Sequence, residues 1–122
     1  MKRDMDLVRR MLLTMEESEE ILVRSIHFEG VKLAMVQYHF QLLADAGYLE
    51  PQEMYLKDRS LHMGYRLTWS GHEFLGSVRD PEIWAKTKQG AEKVGSWSVK
   101  LLADLASGYV RAKAVELGLP LA

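Results

Sequence analysis

The sequence predicts an α+β fold, mainly α, in which one β-hairpin stands among helices. Residues 36–49 read as an amphipathic helix halted by Gly47 and running into a strand that starts at Tyr48-Leu49. Residues 66–75 read as a strand leaving the hairpin at Arg66-Leu67 and capping a new helix at Thr68 or Ser70. The composition agrees with a packed protein: 122 residues, 48% hydrophobic and 27% charged, enough for one sizeable core and too few for two.

The bulk numbers exclude several classes. With no cysteine there are no disulfides, thiolate zinc sites or cysteine nucleophiles, and a reducing, cytoplasmic setting is expected. Acids stand beside bases in the opening residues, and Arg9 and Arg10 break the apolar run that follows, so no signal peptide is expected. No apolar run approaches a membrane span. A formal net charge of −1 argues against indiscriminate polyanion binding, so any nucleic-acid face must be a local patch.

Taken in order, residues 4–16 place Met5, Val8, Met11, Leu12 and Met15 at steps of three and four, the pattern of a first helix started by Asp4 or Asp6. The acidic run from Glu16 to Glu20 is a solvated turn. Residues 21–29 are read as a short strand because β-branched residues and alternation dominate, with a short second helix capped by Ser18 as the alternative. Gly30 leaves little room for a full helix there. From 31 to 46 the core stripe is Val36, His39 or Phe40, Leu43 and Ala46, with His39 hydrogen-bonded to backbone. The hairpin follows, with Pro51 restricting its first strand to an edge or bulge and Lys57-Asp58-Arg59-Ser60 as the turn. Three helix starts come next: Ser70 with Glu73 spaced as a capping box, Asp80-Pro81-Glu82, and Ser96 or Ser98. The last helix is expected to end near Gly118. Its apolar face, with Leu102, Leu105, Ala106, Tyr109 and Val110, either folds back on the core or pairs with a second copy. Trp69, Trp84 and Trp97, with Tyr109, are expected to be packing anchors between the hairpin and the C-terminal helices, with a protein-binding surface as the alternative.

The stretch from Val36 to Leu49 resembles the third helix and second strand of small bacterial winged-helix repressors of the ArsR and MarR type, and the stretch from Leu67 to Leu75 is similar to the exit from their wing. The resemblance implies a winged-helix domain over residues 1–79 (helix, short strand, helix, β-hairpin wing). Residues 80–122 are then a helical extension that packs on the core or forms a dimer interface, one structural domain overall, with two to three further C-terminal helices. It also implies a base-reading face at Gln37, Tyr38 and Gln41, with phosphate contacts from Lys32, Lys57, Arg59 and His62. From the opening Met1-Lys2-Arg3-Asp4-Met5-Asp6-Leu7-Val8-Arg9 through Arg66 to Leu75 and on to Arg79-Asp80-Pro81-Glu82-Ile83-Trp84-Ala85-Lys86-Thr87-Lys88, nearly the whole chain further resembles a family of uncharacterised bacterial and phage proteins known as a domain of unknown function. That second resemblance implies a phage or prophage setting and carries no functional residues.

Chemistry is not expected. His27, His39, His62 and His72 lack the three- or four-residue spacing that places two metal ligands on one helix face. No nucleophile elbow, phosphate loop or dinucleotide fingerprint occurs, so neither enzyme nor cofactor is predicted. Two binding functions remain. The first is a duplex-DNA-binding transcriptional regulator acting as a dimer through the C-terminal helix. The second is an adaptor that turns the same fold toward a host or phage protein.

Overall fold

A computed structural model describes residues 1–121. They form α1 (Met5–Glu17), α2 (Leu33–Asp45), β1 (Leu49–Tyr55), β2 (Leu61–Leu67), α3 (Trp69–Val78), α4 (Pro81–Val94) and α5 (Val99–Glu116). The class is the predicted one, α+β and mainly helical. The chain divides into two compact units, Met1–Glu73 and Phe74–Ala122.

In the first unit, Asp4 caps α1 by accepting the Leu7 N–H at 3.1 Å. The expected three–four spacing becomes the buried stripe Met5, Val8, Met11, Leu12 and Met15, joined by Leu7. After Ser18 the chain forms no helix before Lys32. The segment read as a strand is reduced to one bridge, in which the Val23 N–H donates to Tyr65 O and the Tyr65 N–H to Val23 O at 2.8 and 2.9 Å. The second helix of a full helix-turn-helix is therefore not formed. Gly30, at φ +78°, makes the turn into α2.

Helix α2 buries Val36, His39, Phe40 and Leu43. Ala46, expected in that stripe, lies past the helix as an exposed C-cap, because the chain has already begun to turn toward Gly47. Gly47 takes φ +80° and the Tyr48 N–H returns to Leu43 O, which closes the helix end. The Phe40 ring stacks on Tyr65 with centroids 4.6 Å apart, fastening α2 to β2. His39 lies fully buried. Its Nε2 accepts the Asp4 N–H at 2.9 Å, so Nδ1 carries the proton and donates to Met35 O at 2.8 Å.

The hairpin pairs Leu49 with Leu67 through to Tyr55 with Leu61. At its base Thr68 caps α3, donating from Oγ1 to Gly47 O at 2.6 Å and accepting the Gly71 N–H at 3.0 Å. The expected Ser70–Glu73 capping box is thus displaced by two residues, because Thr68 can satisfy both the helix start and the exposed end of α2. Displacing the start also moves Trp69. It sits in the first turn with 80% of its surface exposed and is no packing anchor.

In the second unit, Asp80 accepts the Glu82 and Ile83 N–H groups and Pro81 opens α4, as predicted. Gly95, at φ +80°, ends α4, and Ser98 caps α5 through the Leu101 N–H. Helices α4 and α5 pack together. Ile83, Trp84, Thr87 and Ala91 are buried on the first, Leu102 and Ala106 on the second. Gly90 allows close approach, since a Cβ there would lie 3.0 Å from the Tyr109 hydroxyl. Trp84 is the anchor expected, whereas Trp97, in the link between the helices, is exposed.

Candidate nucleic-acid interface

Helix α2 separates its faces cleanly. At 100° per residue, the positions opposite Val36, Phe40 and Leu43 are Ala34, Tyr38, Gln41 and Asp45, with Gln37 on the flank beside Gln41. Gln41 is exposed, and Gln37 and Tyr38 are half-buried. Tyr38 meets the His39 ring edge-on at 5.9 Å, so its ring leans on the core edge. Lys32 is exposed at the N-cap position, where its side chain makes no capping bond. The predicted base-reading residues thus share one face, with Lys32 at the start of the same helix.

Lys57 and Arg59 occupy the hairpin turn and are exposed. The turn is fixed from within. The Leu56 N–H donates to Ser60 O, the Arg59 N–H to Leu56 O, and Asp58 Oδ1 accepts from both the N–H and the hydroxyl of Ser60. These bonds, the Ser60 hydroxyl first, hold the Asp58 carboxyl below its ordinary range. The Ser60 proton goes to the carboxylate, so the His62 Nε2–H donates to Ser60 Oγ at 2.8 Å. His62 therefore braces the turn with the nitrogen that a phosphate contact through Nε2 would need.

Among the described residues, five of the seven predicted residues have no side-chain partner, a property they share with other exposed groups such as Arg24, Lys93 and Lys100. Lys32, Gln37, Gln41, Lys57 and Arg59 make no hydrogen bond or ion pair through their side chains among the described residues. Nearby, Asp45 and Glu53 are likewise without a side-chain partner among the described residues, whereas the Glu50 cluster is engaged. Arg66 pairs with Glu50 across the hairpin, and the Gln52 amide also donates to Glu50, which together lower the Glu50 carboxyl, the Gln52 bond first.

The electrostatic setting is restrictive. Residues 1–73 hold nine Lys and Arg against twelve Asp and Glu, a formal −3, while residues 74–122 hold seven against five, a formal +2. Within the hairpin Lys57, Arg59 and Arg66 are balanced by Glu50, Glu53 and Asp58. The cations predicted to meet a polyanion are confined to the tip, Lys57 and Arg59, and to the start of α2, Lys32.

Sequence reasoning missed the apolar side of the hairpin. From Pro51 to Met63 no side chain is buried, so the distal part stands clear of the core. Along it Tyr55, Leu61 and Met63 are 72%, 52% and 43% exposed. The signal was the cross-strand match of Tyr55 and Leu61 beside the turn, too far from any core partner to be covered. Among the described residues no group of His, Asp and Glu could hold a metal ion, and no helix is long and apolar enough to cross a membrane.

Comparison with known proteins places these residues in context. A family model described as "Hypothetical protein (DUF2513)" matches residues 2–98, from α1 through α4. An uncharacterised protein of Haemophilus influenzae is 34% identical over 90 residues, covering 72% of this chain and 76% of that protein. No solved structure matches.

Proposed function

The chain belongs to the DUF2513 family; from its own residues we propose that it is a cytoplasmic, non-catalytic protein of phage or prophage type that binds duplex DNA as a dimer and regulates transcription by occupying its site. The observation that carries this reading is the set of unpartnered polar side chains on α2 and the hairpin tip. Gln37 and Gln41, one turn apart, are spaced for successive major-groove contacts, and a glutamine amide pairs bidentately with adenine N6 and N7. Lys32, Lys57 and Arg59 supply phosphate contacts that fix register without reading sequence. With a formal −3 on residues 1–73, non-specific attraction is weak, so base contacts must provide the selectivity. Exposed Val110 and Leu117, seven residues apart on and just after α5, are the surface offered to the second protomer.

Fluorescence anisotropy of labelled duplexes tiling the DNA around the gene, at low and near-physiological salt, tests the reading. Sequence-selective binding that weakens with salt is expected. Gln37→Ala with Gln41→Ala should abolish the preference and leave the Tm unchanged, and a double variant with undiminished selectivity would refute the assignment.

A second reading, a protein-binding adaptor, is favoured by the exposed Tyr55, Leu61 and Met63 and by the acidic balance of residues 1–73. It predicts that charge reversal at Lys57 and Arg59 leaves function intact.

A further inference from the structure

The distal hairpin combines three features that phosphate contact alone does not need. The first is the exposed cross-strand pair Tyr55 and Leu61, set immediately before and after the turn on one face of the sheet. Such a pair in water gives up the stabilisation its burial would bring, and nothing in the first unit covers it. The second is Arg59, among the described residues the one non-glycine at positive φ, at +67°. Glycine or asparagine takes that conformation with less strain than a long side chain, yet here it presents a cation at the tip. The third is the internal bonding of Asp58, Ser60 and His62, which ties down the acid between the two cations and stiffens the turn.

We propose that this hairpin is a wedge for duplex DNA, in which Tyr55 and Leu61 enter between two stacked base pairs from the minor groove while Lys57 and Arg59 hold the flanking phosphates. The inference rests on the DNA-binding reading and adds to it a mode: the protein kinks its site. Apolar side chains inserted at a base step unstack it and bend the duplex away from the inserted groove, and flexible pyrimidine–purine steps yield most readily. The charge pattern matches that geometry. The cations lie at the tip beside the apolar pair, whereas Glu53, exposed and two residues down the strand from Tyr55, faces Met63 across the hairpin. Phosphates approaching past the tip meet Glu53, so the acid limits insertion to the Tyr55–Leu61 pair. The free edge of β1 offers no competing use as a pairing strand for a second chain. Leu56 and Tyr48 bond toward the β2 side, which turns the backbone of residues 51, 53 and 55 outward. Pro51 has no N–H to give there, and Glu53 would meet its own copy in a two-fold pairing.

The test uses the duplex bound most tightly in the tiling experiment, labelled at both ends for energy transfer, with a version carrying a TA step at the centre and another with an A-tract there. Wild-type protein is expected to shorten the end-to-end distance on the TA duplex and to bind it about tenfold more tightly than the A-tract duplex. Tyr55→Thr with Leu61→Thr, which keeps β-branched residues in the strands, should bind with the duplex left straight and with the TA preference gone. Glu53→Gln should increase binding. Circular dichroism and Tm of each variant should match wild type, since the replaced side chains are exposed. Wild-type binding without bending, or a Tyr55/Leu61 variant that bends as wild type does, overturns the wedge and leaves the DNA-binding reading standing; the latter outcome would assign the apolar pair to a protein partner. Failure of wild type to bind any duplex overturns both.

Discussion

Gly71 lies in the first turn of α3, where the helix crosses the strand entry at Tyr48. A Cβ built there would sit 2.3 Å from Tyr48 O and 3.0 Å from Leu67 Cδ2. The obstruction is a backbone carbonyl, itself held by the Thr68 N–H at 3.1 Å, and it cannot rotate aside. To restore a tolerable contact, α3 and the start of β1 must part by roughly 0.7 Å or more in a close-packed region. That movement strains the bonds made by Thr68 to Gly47 and Gly71, which join α2, the hairpin and α3. Overpacking costs about 1–3 kcal/mol and each weakened hydrogen bond about 0.5–1.5 kcal/mol, while alanine returns only about 1 kcal/mol of helix propensity. Gly71→Ala should therefore destabilise the protein by about 2–4 kcal/mol, a fall in Tm on the order of 10–20 °C. Gly76→Ala is the internal control. It lies on the same helix with nothing within 4 Å of its added Cβ, so propensity acts alone and the variant should be as stable as wild type or up to about 1 kcal/mol more so. Urea unfolding followed by circular dichroism reads both. If Gly71→Ala matched Gly76→Ala, the steric argument would be wrong.

His39→Leu removes the acceptor for the Asp4 N–H and the donor to Met35 O; a loss of about 1–3 kcal/mol in urea unfolding is expected, with faster amide exchange in the first turn of α1. Asp80 has its carboxyl held below the ordinary range, by the Ile83 N–H first and by Lys113 among the smaller causes. Its folded value is depressed, so its contribution to stability is complete above the unfolded-state value and is lost as pH falls through the folded one. Asp80→Asn, which keeps the capping oxygen, should flatten the acid limb of a Tm-versus-pH profile, and an unchanged profile would show that other carboxyls dominate it. Arg59→Gly should raise stability by roughly 0.5–1 kcal/mol through relief of the left-handed backbone while weakening duplex binding in the anisotropy assay.

The local rules were legible. The Asp80-Pro81 pair and Gly47 announce helix ends by chemistry acting within four residues, and the structure uses both so, while it selects Asp4 over Asp6 and Ser98 over Ser96 as caps. Most of the buried stripes of α1 and α2 follows from spacing, with Leu7 added and Ala46 excluded by the structure, and the hairpin follows from its turn. The seven residues assigned to an interface were placed on two exposed elements, since a polar side chain opposite a core stripe must point to solvent. His62 and Tyr38 depend also on neighbours, Ser60 and His39, whose contacts spacing does not reveal.

What the sequence by itself determined was the type and order of the elements, because periodicity and capping are short-range. Only the tertiary structure decided that residues 21–29 make one bridge to Tyr65 and no more, that Thr68 rather than Ser70 starts α3, and that Trp69, Trp97, Tyr55 and Leu61 stay in water. These outcomes turn on residues distant in sequence. Thr68 caps because Gly47 O lies within reach of its hydroxyl, and the end of the hairpin is bare because β1 and β2 run beyond the Phe40–Tyr65 stack that anchors them. An apolar side chain states its tendency to be buried, but the reach of the surrounding fold determines whether anything is there to bury it.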